Sequence, residues 1–295
     1  MTTALNGLKV LDFSTLLPGP FATMYLADMG AEVIHIESPS RPDLIRIMPP
    51  YANGQATAHS YLNRNKQSIV LDLKDKASID LIKAKISEFD IVIEQFRPDV
   101  MRRLGLDYAT LAEINPRLIY CSITGYGQTG SYKDRAGHDI NYLALAGIAG
   151  YSGRQDSGPP PLGIQVADIA GGSLHAVIAI LAAVVERGRS GMGQYIDISM
   201  TDCVASLNSM AASATLAAPE PATNTVISPP IFCAAATTFK VAPLSTWLLW
   251  SAITKILMIL SFRIRSLSLH FSIFQQAHLQ ISLVRQLYVL LELQL

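Results

Sequence analysis

Cysteine is scarce in this chain of 295 residues: only Cys121, Cys203 and Cys233 occur, far apart and odd in number. That pattern excludes a disulfide framework and lacks the paired spacing of a zinc site, so a reducing compartment is the natural setting and no metal is expected. Charge of one sign is missing too, because 23 lysines and arginines balance 23 aspartates and glutamates. Without a block of like charges nothing supports a nucleic-acid surface, and any bound anion must be met by local charge. Nor does the stretch from Met1 to Lys9 set a basic flank before an apolar run, the form a secretory signal takes. A cytoplasmic location is the expectation. With 50% apolar residues, the chain can bury a substantial core, and disorder is excluded.

Glycine is absent from a whole region. All 19 glycines lie between Gly7 and Gly193, and none follows Val226, where average usage of about 7% predicts roughly five. The same stretch sets Lys240, Lys255, Arg263, Arg265 and Arg285 against the single acid Glu292 and holds both tryptophans, Trp247 and Trp250. From Val241 to Phe262 it is apolar at the length of a membrane span, although Lys255 in mid-run is costly there. Three readings fit: a membrane anchor, an apolar helical domain, or a tail translated in a shifted frame, which predicts poor packing. The expected division is a domain over 1–225 and an atypical tail over 226–295.

What the first 225 residues contain is alternation. Short apolar, β-branched runs recur at Leu8–Phe13, Glu32–Glu37, Ile69–Leu73, Asp90–Phe96, Leu118–Thr124 and Tyr195–Met200, and they read as buried strands. Helical patterns lie between them, such as Phe21–Met29, stopped by Gly30, and Lys76–Phe89, with Ile79, Ile82 and Ile86 on one face. Strand and helix in turn predict an α/β fold with a doubly wound, mostly parallel sheet. Such sheets bind ligands at the carboxyl ends of their strands. Three places qualify: Leu71-Asp-Leu-Lys74, Glu94-Gln-Phe-Arg97, and the glycine-rich stretch after Thr124.

That last stretch, Gly125-Tyr-Gly127-Gln-Thr-Gly130, satisfies the dinucleotide pattern G-x-G-x-x-G. The rest of the fingerprint is missing, because Ser131–Gly137 is polar rather than an opening helix and no acid ends a second strand about twenty residues on. It reads as a loop that lets backbone approach a ligand. Read alone, Asp168 caps the helix Ile169–Val185, where the helix dipole would keep it ionised, and His138 is an exposed or hydrogen-bonded loop histidine.

Several motifs stand in one order: Leu17-Pro-Gly-Pro20, Ala27-Asp-Met-Gly-Ala-Glu-Val33, Asn115-Pro-Arg-Leu-Ile-Tyr120, Gly137-His-Asp-Ile-Asn-Tyr142, Val166-Ala-Asp168 and Ser190-Gly-Met-Gly-Gln194. With them the sequence resembles the class III CoA-transferase (CaiB/BaiF) family, and most of all its α-methylacyl-CoA racemases, as far as about Thr225. The resemblance implies that Asp168 is the shared catalytic acid, a nucleophile in the transferases and an acid–base group in the racemases. The histidine of the Gly-His-Asp motif, His138, is the racemases' second base. It implies coenzyme A contacts at Leu71, Asp72, Leu73 and Lys74 and at Gln95, Phe96, Arg97 and Arg103, with Gly137, Asp139, Ile140, Asn141 and Tyr142 near the thioester. Many members carry an arginine directly after the acid ending the second strand; Ser38 stands there, and Arg41 is the nearby replacement. Coenzyme A then belongs to the substrate, and no separate cofactor is expected. Relatives form an interlocked homodimer whose second domain adds a further active-site carboxylate, and nothing after about Val226 resembles that part.

Chemistry agrees with the motif. Inverting a carbon requires one group to take a proton from one face and another to return a proton to the other, which suits an imidazole and a carboxylate. The developing enolate oxygen also needs donors, for which the backbone at Gly171 and Gly172 is a candidate. Racemisation of a 2-methylacyl-CoA thioester is the leading expectation; CoA transfer through Asp168 and a non-catalytic CoA-binding remnant are the alternatives.

Overall fold

The computed structural model describes residues 3–154 and 156–211, and those up to Met210 belong to one compact unit. The 225 boundary and the apolar run at 241–262 lie outside the described residues. In chain order the elements are Lys9–Asp12 (β1), Pro18–Asp28 (α1), Glu32–Glu37 (β2), the hairpin Tyr51–Ala52 (β3) and Gln55–Ala56 (β4), Thr57–Leu62 (α2) and Lys66–Val70 (β5). Lys76–Lys85 (α3), Ile91–Glu94 (β6), Val100–Leu104 (α4), Tyr108–Ile114 (α5), Ile119–Thr124 (β7) and Asp139–Leu145 (α6) follow. A π-helical turn, Ala167–Leu174, then runs into His175–Ser190 (α7), Tyr195–Ser199 (β8) and Met200–Ser206 (α8).

Six strands form one sheet in the order β5-β2-β1-β6-β7-β8, and every pairing in it is parallel. The chain starts in the middle, winds outward through β2 to β5, then returns past β1 to β6 and winds the other way. This doubly wound order puts the topological switch point between β1 and β6, where ligands of such sheets bind. The apolar runs supply the central strands: all residues of β6 and β7 are buried. Their side chains alternate between two cores, one around Val10, Val33, Ile93 and Ile123 and one around Leu11, Ile82, Val92 and Leu118.

Local signals set the helix ends. Prolines at the start of α1 tolerate the first turn, and Gly30, at φ +101, stops the chain after it. Asp75 caps α3 by accepting from the Ala77 N–H at 3.0 Å. Gly191 ends α7 in the left-handed conformation, φ +76. The continuous helix over Ala167–Ser190 is long and apolar enough to cross a membrane by length and composition. Its Ala176, Ala179, Ile180 and Ala183 are buried within the first of the two cores.

One strand departs from the sequence pattern. Ile69–Leu73 read as the strand, whereas β5 is Lys66–Val70 and the chain leaves the sheet before Leu71. Lys66 looks like a solvated residue, yet its side chain is 1% exposed, with Nζ 3.5 Å from the fully buried carboxylate of Asp12. That carboxylate also accepts from Ser14 N–H at 2.9 Å and Thr23 Oγ1 at 2.6 Å. His35 Nδ1 stands 3.3 Å away, at ion-pair distance without hydrogen-bond alignment. Burial works to raise the Asp12 pKa, but Lys66, then His35 and Ser14, outweigh it and hold the carboxyl far below the usual range.

Candidate active site

The segment Leu16–Gly19, which enters α1 beside the switch point, is held by hydrogen bonds from both sides. Leu16 holds φ +61, and its N–H donates to Asp43 Oδ2 at 3.0 Å. The Gly19 N–H donates to Gln95 Oε1, just beyond β6, at 2.8 Å. The glycine is required here, since a Cβ would stand 2.1 Å from Ser14 Cβ and 2.7 Å from Gln95 Oε1. Ser173 of the π-helical turn donates to the Pro18 carbonyl at 2.7 Å. Thus one loop fastens the end of β6 to the segment that carries Asp168.

Asp168 does not cap a helix. It lies in the first turn of the π-helical segment, with Val166 at the N-cap, and its N–H donates to Asp139 Oδ1 at 2.9 Å. Nor do its surroundings favour the charged form, as a helix dipole would. Burial first, then the like charge of Asp139, raise its pKa to about 6, against a smaller lowering by His138. The dipole effect fails because the carboxyl is desolvated and faces a second acid, both stronger influences than a partial charge one turn away.

His138 is the N-cap residue of α6, extended at φ −131 and ψ 173 with an exposed side chain. Its own N–H donates to Asn141 Oδ1 at 2.9 Å, which fixes the helix entry. The structure therefore brings His138, Asp139 and Asp168 together, with Tyr142 beside them. The Tyr142 phenol is pushed up by burial and by the charges of Asp168 and Asp139, and Arg97 opposes that shift. Tyr142 also packs edge-on against Tyr126, 5.2 Å between ring centres, and its ring occupies the space a Cβ on Gly125 or Gly137 would need. Glycines bracket that tyrosine for packing reasons.

Of the remaining expected residues, Ile140 and Asn141 continue α6 beside this group and the others lie on separate segments. Leu71–Lys74 follow β5, where the Leu71 N–H donates to the Glu37 carbonyl at 3.0 Å and the Lys74 N–H to Asp72 Oδ1 at 3.0 Å. Phe96 is half-buried beside Gln95, Arg103 is exposed on α4, and Ile140 and Asn141 are exposed on α6. Arg41 is exposed, its N–H donating to Ser38 Oγ at 3.2 Å. The arginine that folds back onto the end of β2 is Arg46, whose Nε lies 2.8 Å and Nη2 2.5 Å from the two Glu37 oxygens. No sequence pattern marked Arg46, because the pairing crosses an irregular loop.

Gly171 and Gly172, the expected enolate donors, have a different explanation. Both are buried, and a Cβ on Gly171 would reach 2.4 Å from Val204 and 2.8 Å from the Met200 carbonyl of α8. They let α8 and Pro18 approach the π-helical turn. Gly171→Ala is expected to cost about 1–3 kcal/mol by overpacking. A guanidinium unfolding midpoint equal to the wild type's would contradict that.

A second buried acid escaped sequence reasoning. The parallel register sets Glu94 of β6, Ser122 of β7 and Asp197 of β8 side by side. Glu94 accepts the Phe96 N–H at 2.8 Å, and Asp197 accepts the Gln128 N–H at 3.1 Å, so this row anchors the loops after β6 and β7. Burial, and to a lesser extent Asp197, raise the Glu94 pKa to about 7 against the hydrogen bonds from Ser122 and Phe96. A carboxyl raised on folding stabilises the fold fully below its unfolded pKa, and that contribution is lost as pH rises from about 4.5 through about 7. Glu94→Gln is therefore expected to unfold at higher denaturant than the wild type at pH 8, by up to ~3 kcal/mol, and to match it at pH 4. Urea unfolding at the two pH values measures the difference.

These features define a doubly wound α/β protein with a carboxyl–imidazole pair beside its switch-point loop. The sequence model of CoA-transferase family III matches residues 5–253, and the chain belongs to that family. It is 42% identical over 205 residues to succinate–glutarate CoA-transferase of Agrobacterium fabrum, covering 67% of this chain and 51% of the relative. To the α-methylacyl-CoA racemase of Homo sapiens it is 41% identical over 208 residues, covering 70% and 50%. A crystal structure of a CaiB/BaiF family protein from Brucella suis superposes with a TM-score of 0.70 at 39% identity, covering 74% of this chain and 58% of that one. The chain spans about half the length of the curated relatives it matches.

Proposed function

We propose that the protein inverts the carbon next to the carbonyl of a 2-methylacyl-CoA thioester. The observation that carries this reading is the convergence of His138, at the start of α6, with Asp168, at the start of the π-helical turn, close enough for the imidazole to bear on the carboxyl's ionisation. In one direction the Asp168 carboxylate takes the α-proton, and the C–H electron pair moves onto the thioester oxygen as an enolate. His138 in its protonated form then returns a proton to the opposite face; the reverse direction exchanges the roles. A carboxyl titrating at about 6 suits this work, since it is mostly ionised at neutral pH yet basic enough to accept a carbon-bound proton.

Coenzyme A is bound, on this reading, by Lys74, Arg97 and Arg103 meeting its phosphates, with Arg41 near the end of β2 and Leu71–Leu73, Gln95 and Phe96 completing the surface. The segment Gly137–Tyr142 flanks the thioester. An intracellular setting goes with this reading, and the interlocked homodimer of relatives depends on the second domain that nothing after about Val226 resembles. Incubation with a chiral 2-methylacyl-CoA in heavy water tests the reaction: deuterium entering the α-position with loss of optical activity supports it, and a substrate that keeps its α-proton overturns it.

The second reading is CoA transfer, favoured by the identity to succinate–glutarate CoA-transferase. There Asp168 attacks the thioester carbonyl, forming a mixed anhydride and releasing the CoA thiolate. Hydroxylamine trapping of an acyl group on Asp168 during turnover would support it, and its absence would count against it.

A further inference from the structure

We infer that Asp139 is a positioning residue, which latches the π-helical turn to the start of α6 and thereby sets the gap between the Asp168 carboxyl and the His138 imidazole. The inference rests on the racemase reading for its purpose, but not for its geometry. Asp139 directly follows His138, so one helix entry carries both the exposed imidazole and the carboxylate whose Oδ1 accepts the Asp168 N–H at 2.9 Å. Twenty-nine residues separate the two acids in sequence, and this bond spans that whole excursion.

A latch is needed at this point because of the turn's form. A π-helical turn is a rare conformation whose wider ring spoils the usual α-helical pairing, so its first residues need outside partners. The Asp168 N–H finds one in Asp139, and at the other end of the turn the Ser173 hydroxyl ties the turn to the Pro18 carbonyl. The first bond fixes the turn to α6 and the second fixes it to the switch-point loop. Side-chain direction at Asp168 is then set from two sides.

The same carboxylate acts electrostatically. The charged groups bearing on Asp168 are Asp139 and His138, both from α6, while Tyr142 presents a phenol from that helix. Against the turn's glycines, α8 presents Met200 and Val204, and α1 presents Pro18, none of them charged. Asp139 is therefore the one charge among these that opposes ionisation of Asp168. Asparagine at 139 keeps an oxygen able to accept the Asp168 N–H but removes the charge; alanine removes both.

The test uses the whole chain, labelled with carboxyl-¹³C aspartate and with ¹⁵N, the Asp168 resonances being assigned by their loss or shift in Asp168→Asn. In Asp139→Asn the Asp168 titration midpoint is expected to fall from about 6 toward the ordinary carboxylate range, with its amide still protected from exchange. In Asp139→Ala the amide protection is expected to be lost and kcat to drop by at least ~10-fold with KM little changed, as for misplacement of a reacting group. An unchanged midpoint in the asparagine variant together with undiminished amide protection in the alanine variant would overturn the latch. Should the alanine variant not fold, the wild type decides: an Asp168 amide that exchanges with solvent as fast as an unprotected amide would overturn the latch. A wild type that shows both resonance responses but exchanges no α-proton would remove the racemase reading and leave the latch standing.

Discussion

Asp168→Asn and His138→Gln should each abolish inversion while leaving opposite halves of the exchange reaction. If the two groups serve opposite faces, the variant without the carboxylate still has an imidazole that can take the α-proton from one epimer and return solvent deuterium to the same face. The variant without the imidazole does the same for the other epimer through Asp168. Each loses racemisation by about 10²–10⁴-fold, the usual contribution of a positioned acid–base group. Nuclear magnetic resonance of separately prepared (2R)- and (2S)-thioesters in heavy water reads both quantities at once. Loss of exchange from the same epimer in both variants would contradict the two-face arrangement. The CoA-transfer reading makes a different forecast, in which His138→Gln retains most of its transfer activity and Asp168→Asn none.

Lys66→Met should destabilise the fold by about 3–5 kcal/mol, the range for removing one partner of a buried ion pair. The reason lies with what remains. Asp12 is fully buried, and its carboxylate is held ionised chiefly by the Lys66 ammonium, 3.5 Å away. His35, Ser14 and Thr23 stay in place, but His35 must be protonated to help. The Lys66 ammonium also donates to the Pro20 carbonyl at 2.9 Å and Asn63 Oδ1 at 3.0 Å, and both acceptors lose that donor in the variant. The pH dependence has a definite sign. Because the folded-state pKa of Asp12 is depressed, its contribution is fully present above the unfolded carboxylate pKa of about 4 and is lost progressively as pH falls from there through the much lower folded-state value. In Lys66→Met that acid-side loss should shrink, so the gap between wild type and variant should narrow as pH falls below 4. Denaturant titrations at pH 3.5 and 7 test this, and an equal gap at both would contradict the ion-pair account.

Much of this protein is legible from its sequence because local rules and tertiary needs coincide there. The runs ending in Asp12, Glu37, Glu94 and Thr124 are strands wherever they pack, since an apolar β-branched run buried on both faces has few other solutions. Gly30 stops α1 through φ alone. The rejection of the glycine-rich stretch as a nicotinamide fingerprint also agrees with the fold, for the next helix after Gly130 begins only at Asp139. The pairing of His138 with Asp168 came from ordered motifs and not from spacing, since no periodicity links residues that far apart.

The partners of Lys66, Glu94 and Asp139 were hidden for a common reason. Each of the three is a charged residue whose partner is fixed by strand register or by a loop closing over long separation, and a lone charge in sequence reads as solvated. What the sequence determined by itself was the alternation of buried strands and helices, and the chemistry available at positions 138 and 168. The tertiary structure alone decided that Asp168 sits in a π-helical turn, desolvated and tied to a second carboxylate, so that it titrates near 6 instead of in the ordinary carboxylate range at a helix cap. The physical reason is that ionisation follows the dielectric and the charges around a group, which depend on what folds against it and not on its neighbours along the chain.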